Sequence, residues 1–229
     1  MSGIATSAGV VSNLIVGKLQ QSVMQALYGH DVWDGFIPEP AAAEVQGWNG
    51  THPSLSRLAQ VAGGATVVDV GVWKGQSTIT MAAEMKRHDI DGCVIAVDTF
   101  LGSPEHWDMA MFNRRFGMPD LYRTFMSNVV HAGVSDYVVP LPQTSVTAAA
   151  VLRMRSISAA VVHVDAAHAY EEALRDAEEY WELLLPGGSL IGDDYDVAWP
   201  GVVRAAGEFC ARHSRPLQIE PPKWIVTKP

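Results

Sequence analysis

The sequence is poor in cysteine, and this shortage excludes two classes of protein. Of its 229 residues only two are cysteine, Cys93 and Cys210. Two cysteines far apart in the chain provide neither a disulfide framework nor the paired spacing of a zinc site. We interpret them as buried, reduced thiols, which is consistent with a cytoplasmic protein.

Positive charge is also scarce. The chain has 16 lysine and arginine residues against 25 aspartate and glutamate residues, a formal net charge of −9. Because a nucleic-acid backbone needs a basic face, we exclude nucleic acid as the main partner.

Long apolar runs are missing as well, since Asn13, Lys18 and Gln20 interrupt those of the first 29 residues. We therefore expect neither a signal peptide nor contact with a membrane through a spanning helix.

The first quarter of the chain differs in pattern from the rest. The segment "SNLIVGKLQQSVMQALYG" has helical spacing of its apolar residues, with Ser12 as a candidate cap and Gly29 as its end. A loop rich in proline, glycine and aromatic residues follows, and its aromatic residues are Trp33, Phe36 and Trp48. We predict that residues 1–55 form a helix and loop that act as a substrate lid or as a contact in a homo-oligomer. Residues 56–229 are predicted to form the main domain.

From residue 65 onwards, apolar runs alternate with amphipathic helical segments. The runs are "ATVVDVG", "GCVIAVD", "DYVVPL", "AAVVHVD" and "GSLIGDD". Apolar strands that alternate with helices predict an α/β fold with a doubly wound parallel sheet, covered on both faces. The last segment, "RPLQIEPPKWIVTKP", breaks this alternation, because Pro221 and Pro222 separate two strand-like runs. It predicts a β-hairpin at the sheet edge.

The turn after the first predicted strand suggests a ligand site. It reads "DVGVWKGQST", with Asp69 at the strand end and Gly71 and Gly75 four residues apart. Glycines there let the backbone approach a ligand closely, although an ordinary tight turn has the same composition. The pattern is neither the G-x-G-x-x-G of dinucleotide-binding folds nor a P-loop. Asp98 ends the second strand, where a carboxylate either accepts hydrogen bonds from ribose hydroxyls or caps the next helix. Together these residues favour a nucleoside ligand without a pyrophosphate group.

Two stretches resemble the class I S-adenosylmethionine-dependent methyltransferases. "VVDVGVWKGQST" is similar to their first motif, and "VIAVDTFLGSPEHW" to their second-strand acid with its following loop. The terminal hairpin is similar to their reversed last strand. The resemblance implies a Rossmann-like, seven-stranded methyltransferase sheet whose last strand is antiparallel. It also implies that residues 56–229 bind S-adenosylmethionine as the cofactor.

The resemblance assigns roles around the cofactor. Asp69 and Gly71 would border the methionine moiety, and Asp98 would hold the ribose. Thr99 and Phe100 would lie beside the adenine, and "PLPQTSVTAA" is similar to the third-strand loop that contacts it, although the usual glycine is missing. The cofactor-binding residues predicted in this way are Asp69, Gly71, Gly75, Ser77, Asp98, Thr99, Phe100, Gln143, Ser145 and Asp165.

Three further carboxylates follow predicted strands. Asp165 closes the fourth apolar run, and Asp193 and Asp194 close the fifth. These ends share one edge of a doubly wound sheet, where three carboxylates repel one another without a counter-charge. Each acid alone could be a cap or turn residue, but together they favour a divalent cation: Mg²⁺, with Ca²⁺ or Mn²⁺ as alternatives. The three acids match the pattern of the metal-dependent O-methyltransferases of the catechol and macrolide-sugar types, whereas Asp196 has no counterpart.

His168 lies three residues after Asp165, where the catechol-type relatives carry their general base. An unperturbed histidine pKa of about 6.5 suits proton transfer. His168 or Asp165 is therefore the candidate catalytic base, and the alternative for His168 is a packed residue at a helix start. His163, inside the strand, is expected to be a core residue.

These features predict a divalent-metal-assisted O-methyltransferase that acts on a hydroxyl of a small molecule, either a sugar of a natural product or a phenol or catechol. The aromatic loop and residues 104–118, with Trp107 as a lid, are expected to enclose this acceptor. A nicotinamide-dependent oxidoreductase is one alternative, which the glycine spacing and the terminal hairpin disfavour. A non-catalytic small-molecule-binding protein with the same fold is the other.

Overall fold

The computed structural model describes residues 18–229, so Ser12 and the start of the first predicted helix lie outside the described residues. In chain order the strands are β1 Thr66–Val70, β2 Cys93–Asp98, β3 Arg114–Arg115, β4 Met118–Pro119, β5 Val138–Pro142, β6 Ala159–Val164, β7 Leu184–Gly192, β8 Gln218–Glu220 and β9 Lys223–Thr227. Seven of them form one sheet in the order β5-β2-β1-β6-β7-β9-β8, while β3 and β4 form a separate ribbon. Within this order, the five neighbouring strands β5, β2, β1, β6 and β7 pair in parallel. Strand β9 is antiparallel to both of its neighbours, β7 and β8. The predicted seven-stranded fold with a terminal hairpin is confirmed.

Seven α-helices accompany the sheet in the described part of the chain. They are α1 Lys18–Tyr28, α2 Pro53–Val61, α3 Gln76–Arg87, α4 Leu121–His131, α5 Ser145–Met154, α6 Tyr170–Trp181 and α7 Pro200–Arg212. Helices α3, α5, α6 and α7 each follow a parallel strand, as the alternation in the sequence predicts.

The sheet separates two apolar clusters. Val67 and Val68 are adjacent in β1, yet Val67 packs with α2, α3 and α4 while Val68 packs with α1, α5, α6 and α7. Successive side chains of a strand point to opposite faces, so a strand covered on both sides must be apolar throughout. This packing explains the unbroken apolar runs and leaves the strand ends as the place for polar residues.

The segment before α2 covers the edge strand β5. Tyr28 Oη donates to the Pro140 carbonyl at 2.6 Å, and Trp33 Nε1 donates to the Val138 carbonyl at 2.9 Å. These two side chains donate to carbonyl groups on the outer edge of the sheet. Pro140 itself has no N–H, and proline in a sheet is typical of an edge strand. Gly29, with φ of 73°, follows the end of α1 as predicted. The exposed face of α1 is polar, and the predicted oligomer contact stays a prediction.

Helix α2 and the short β3–β4 ribbon have no counterpart in the sequence-based assignment. His52 caps α2 by accepting from the Ser54 N–H, and Pro53 occupies its first turn. These are ordinary helix-start signals that lay inside a segment interpreted as a loop. The division proposed after residue 55 falls within α2, and the two-part assignment stays a prediction. Among residues 18–229, no helix has the length and apolar character needed to cross a membrane.

Candidate cofactor and acceptor site

A cavity of about 580 Å³ opens at the carboxyl ends of the parallel strands. Ligands of doubly wound folds bind at this edge, because the strand-to-helix loops diverge there. The cavity is lined from five strand ends and from the loop before α2. Ten of the residues predicted for the site line it: Gly71, Ser77, Asp98, Thr99, Gln143, Ser145, Asp165, His168, Asp193 and Asp194.

Gly71 allows the turns after β1 and β6 to meet. Its φ is 85°, and a Cβ at this position would lie 1.8 Å from the Asp165 carbonyl oxygen. The Gly71 N–H donates to the Val97 carbonyl, and the Asp165 N–H donates to the Val70 carbonyl, each at 2.8 Å. Only glycine accommodates both this conformation and this approach. The glycine of the first motif therefore brings three strand ends to one point.

Asp98 is held by backbone donors. Its Oδ2 accepts from the Trp73 N–H at 2.9 Å, and its Oδ1 accepts from the Phe100 N–H at 2.7 Å. Burial raises the pKa of Asp98, while these two hydrogen bonds oppose the rise. Each oxygen keeps a lone pair, so the carboxylate can accept two hydroxyl groups from a ligand in the cavity.

Asp176 is a site residue that the sequence analysis missed. It lines the cavity from α6, is 3% exposed, and accepts a hydrogen bond of 2.6 Å from Ser145 Oγ. Burial raises its pKa to about 6. Asp176 lies three residues after Ala173 and four before Tyr180, and both of these residues pack into the apolar core. This helical spacing places Asp176 on the buried side of α6, and it was the available signal in the sequence.

Asp69, Gly75 and Phe100, three of the predicted cofactor-binding residues, do not line the cavity. Asp69 is completely buried and accepts from Ser77 Oγ at 2.8 Å, Thr78 Oγ1 at 2.6 Å and His163 Nδ1 at 2.7 Å. Burial alone would raise the pKa of Asp69, but these hydrogen bonds outweigh it and lower the pKa. The carboxylate orients the loop from beneath, and its contact with the methionine moiety stays a prediction.

The three acids predicted as metal ligands all line the cavity, in different environments. Asp193 is buried, and its Oδ2 accepts from the ammonium of Lys223, which is also completely buried. Asp194 has φ of 58° and a side chain that is 21% exposed. Burial and then the charge of Asp193 raise the pKa of Asp165 well above its usual value. A cation next to Asp165 would relieve both effects.

His168 lies in the loop before α6 and is the fourth predicted residue of this corner. Its Nε2 is 2.8 Å from Oδ2 of Asp194, and its ring lies 4.2 Å from the ring of Trp199. The ligand atoms of Asp165, His168 and Asp194 lie within 4.8 Å of one another. The corner thus combines two carboxylates and an oriented imidazole, while the other predicted histidine, His163, is a core residue as expected.

Aromatic residues also line the cavity. Trp48 lines it, and its ring lies 6.3 Å from Trp73 and 6.2 Å from His106. Residues 45–50 are held against α3, since a Cβ on Gly47 would lie 1.9 Å from Gln76 Cβ. Trp33, Phe36 and Trp107, which the sequence analysis placed around the acceptor, do not line the cavity.

The fold and the site together define a class: a doubly wound sheet with a reversed last strand, a carboxylate at the end of β2 and an acidic corner after β6 and β7. The family model described as a methyltransferase domain matches residues 68–195, more than half of the chain. The chain belongs to this family and is a class I S-adenosylmethionine-dependent methyltransferase. No curated protein sequence matches it.

Several solved methyltransferases have the same fold. The calicheamicin methyltransferase CalS11 is 21% identical with a TM-score of 0.57, and the alignment covers 76% of each chain. An O-methyltransferase from Bacillus cereus with bound SAH is 17% identical with a TM-score of 0.55, over 90% of this chain and 100% of the other. TomG from Streptomyces achromogenes, an O-methyltransferase with bound SAM, is 17% identical with a TM-score of 0.54, over 95% and 94%.

Proposed function

We propose that this protein transfers the methyl group of S-adenosylmethionine to a hydroxyl of a small molecule, with a divalent metal ion assisting. The observation that carries the proposal is the corner of Asp165, Asp194 and His168, which faces the same cavity as Asp98. A methyl donor bound along the strand ends and a hydroxyl bound at the acidic corner would share one cavity.

The cofactor end of the cavity would be formed by Asp98, Gly71 and the Gln143–Ser145 loop. Asp98 would present a half-buried carboxylate to the ribose, and Gly71 would allow the cofactor to lie against the backbone. Ser145, which donates to Asp176, and Gln143 would face the adenine.

The acidic corner fits a divalent ion. Its donors are carboxylate oxygens, which Mg²⁺ prefers, with Ca²⁺ and Mn²⁺ as alternatives. Burial and then the charge of Asp193 raise the pKa of Asp165, and a cation bound beside this carboxylate would offset both effects. A bound ion would supply Lewis acidity that makes an acceptor hydroxyl more acidic.

His168 is the favoured base. Asp194 orients its ring, and a carboxylate in that position stabilises the charge that an imidazole gains with a proton. Asp165 is the second candidate, because its raised pKa makes it a better proton acceptor than an ordinary aspartate. Methyl transfer is an in-line displacement, so these residues need only orient the hydroxyl and hold its proton.

The acceptor is proposed to be a natural-product sugar or a phenol. One structure of CalS11 is described as a TDP-rhamnose 3′-O-methyltransferase, and the aromatic residues that line this cavity suit a sugar or a phenol ring.

The family match gives no support to a nicotinamide-dependent activity. Cys93 and Cys210 are both buried and free, which agrees with the proposed cytoplasmic location.

A methyl-transfer assay tests the proposal. The protein is incubated with S-adenosylmethionine and either TDP-rhamnose or a catechol, with Mg²⁺ or after metal removal with EDTA. We expect transfer to at least one acceptor class with Mg²⁺ and none without metal. Full activity of the metal-free protein would overturn the metal part. A thermal shift with NAD and none with SAH would overturn the proposal as a whole.

A further inference from the structure

Lys223 is the first residue of β9 and is completely buried beneath the acidic corner. Its ammonium donates to Asp193 Oδ2 and to His163 Nε2, the latter at 3.0 Å. A buried ammonium needs a carboxylate and further hydrogen-bond partners to offset its lost hydration. The terminal hairpin thus places an ammonium group under the candidate metal site.

The direction of the hydrogen bonds assigns this charge to Asp193. His163 Nδ1 is 2.7 Å from Asp69 Oδ1, and a carboxylate only accepts, so Nδ1 carries the proton. His163 Nε2 is then the acceptor for Lys223, and the ring is a neutral link. Asp69 is satisfied by three donors of its own. Lys223 therefore balances Asp193.

Asp193 is also shielded from the cavity more than its neighbours are. Its Oδ1 accepts from the Asp194 N–H at 2.8 Å, and its side chain is only 2% exposed, so little of either oxygen reaches the cavity. The side chains of Asp194 and His168 are 21% and 27% exposed. Asp193 clusters with His163 and Asp165, whereas the more open cluster consists of Asp165, His168 and Asp194.

We infer that Lys223 is the built-in counter-cation of Asp193, and that Asp165 and Asp194 alone supply the protein ligands of the divalent ion. This inference rests on the metal part of the proposed function. Asp193 is then a positioning residue, which orients the Asp194 backbone through its Oδ1. The formal charges of this group then balance. The ammonium of Lys223 offsets the carboxylate of Asp193, and the two remaining carboxylates offset the charge of one divalent ion. Mg²⁺ is commonly held by one or two carboxylates with water and substrate completing its shell.

Mn²⁺ binding to the full chain, measured by electron paramagnetic resonance with SAH present, tests the inference. We expect Asp193→Asn to weaken Mn²⁺ binding by at least about 10-fold, because it leaves the Lys223 charge unbalanced near the ion. The double variant Asp193→Asn/Lys223→Met removes both charges and should return to within about 3-fold of the wild type. A double variant as weak as Asp193→Asn would overturn the inference.

Asp194 provides the matched control. Asp194→Ala removes a ligand, so Mn²⁺ binding should stay at least about 30-fold weaker than wild type with or without Lys223→Met. If adding Lys223→Met to the Asp194 variant restored Mn²⁺ binding, the inference would be overturned, because Lys223 would then affect all the carboxylates of the corner equally. A wild type that binds SAH but no Mn²⁺ would instead overturn the metal part of the proposed function.

A crystal structure of the wild type with Mn²⁺ gives an independent test, because Asp193→Asn leaves a buried charge unpaired and is destabilising. The anomalous peak should lie within about 2.5 Å of Asp165 and Asp194 oxygens, with Lys223 still on Asp193. An Asp193 oxygen within the same distance of the ion would overturn the inference.

Discussion

Nε2 of His168 lies 2.8 Å from Oδ2 of Asp194, across the gap between the loops that follow β6 and β7. Asp194 reaches this position with φ of 58°, a left-handed conformation that aspartate tolerates better than most residues. Trp199 packs against the same imidazole, with 4.2 Å between the ring centres. The ring is therefore oriented by two groups, one polar and one apolar, at the edge of the cavity.

This pairing predicts the effect of removing the imidazole. His168→Gln keeps a polar side chain but cannot take a proton, so the methyl-transfer rate should fall by about 10²- to 10⁴-fold. The measurement is a single-turnover rate with saturating S-adenosylmethionine. The affinity for SAH should stay the same, which separates a lost base from a damaged pocket. An unchanged rate would leave Asp165 as the base.

Asp98 should control the affinity for the cofactor. Asp98→Asn removes the charge that ribose hydroxyls would face, and a hydrogen bond to a charged group contributes enough to weaken binding about 10- to 100-fold. Calorimetric titration with SAH measures the change. Asp108→Asn is the matched control, since Asp108 is exposed and does not line the cavity. Equal affinities of the two variants would contradict the ribose role.

Gly71→Ala should destabilise the fold. The added Cβ would lie 1.8 Å from the Asp165 carbonyl oxygen, at φ of 85°, so the turns after β1 and β6 would have to separate. We expect a loss of at least about 3 kcal/mol in the free energy of unfolding, measured in urea. Gly207 is the control, because it lies in α7 with nothing near its Cβ position. Gly207→Ala should raise the stability by about 0.5–1 kcal/mol.

Asp176 should make the stability of the protein depend on pH. Its pKa is about 6 in the folded protein against 3.8 as the ordinary value, so the folded state holds its proton more tightly than the unfolded state. The unfolded state loses this proton first as pH rises, so stability decreases between pH 3.8 and 6 and is then constant. The decrease due to this group is up to about 3 kcal/mol.

Asp176→Asn tests this prediction, because the amide fills the same space without titrating. The stability of the variant relative to the wild type should increase as pH rises from about 4 to 7, by the amount that the wild type loses. Urea unfolding across this range measures the two curves. Parallel curves would show that the buried carboxyl does not hold its proton.

Much of the site was predictable because strand ends can be recognised locally. Asp98, Asp165, Asp193 and Asp194 each follow an apolar run, and parallel strands bring such ends to one edge. The environment of each acid was not predictable in the same way. Whether a carboxylate faces a cavity, like Asp98, or the interior, like Asp69, depends on loops that pack from elsewhere in the chain.

The sequence by itself determined the order of the elements and the reversed last strand. The apolar runs are local signals, and they predict a sheet that is buried on both faces. The prolines at 221 and 222 are also local signals, and they predict the terminal hairpin. Only the tertiary structure decided which charge meets which. Lys223 reaches Asp193 because β9 pairs with β7 in the register that sets Trp224 opposite Gly192. An ion pair between residues 30 positions apart depends on that register, and no local pattern specifies it.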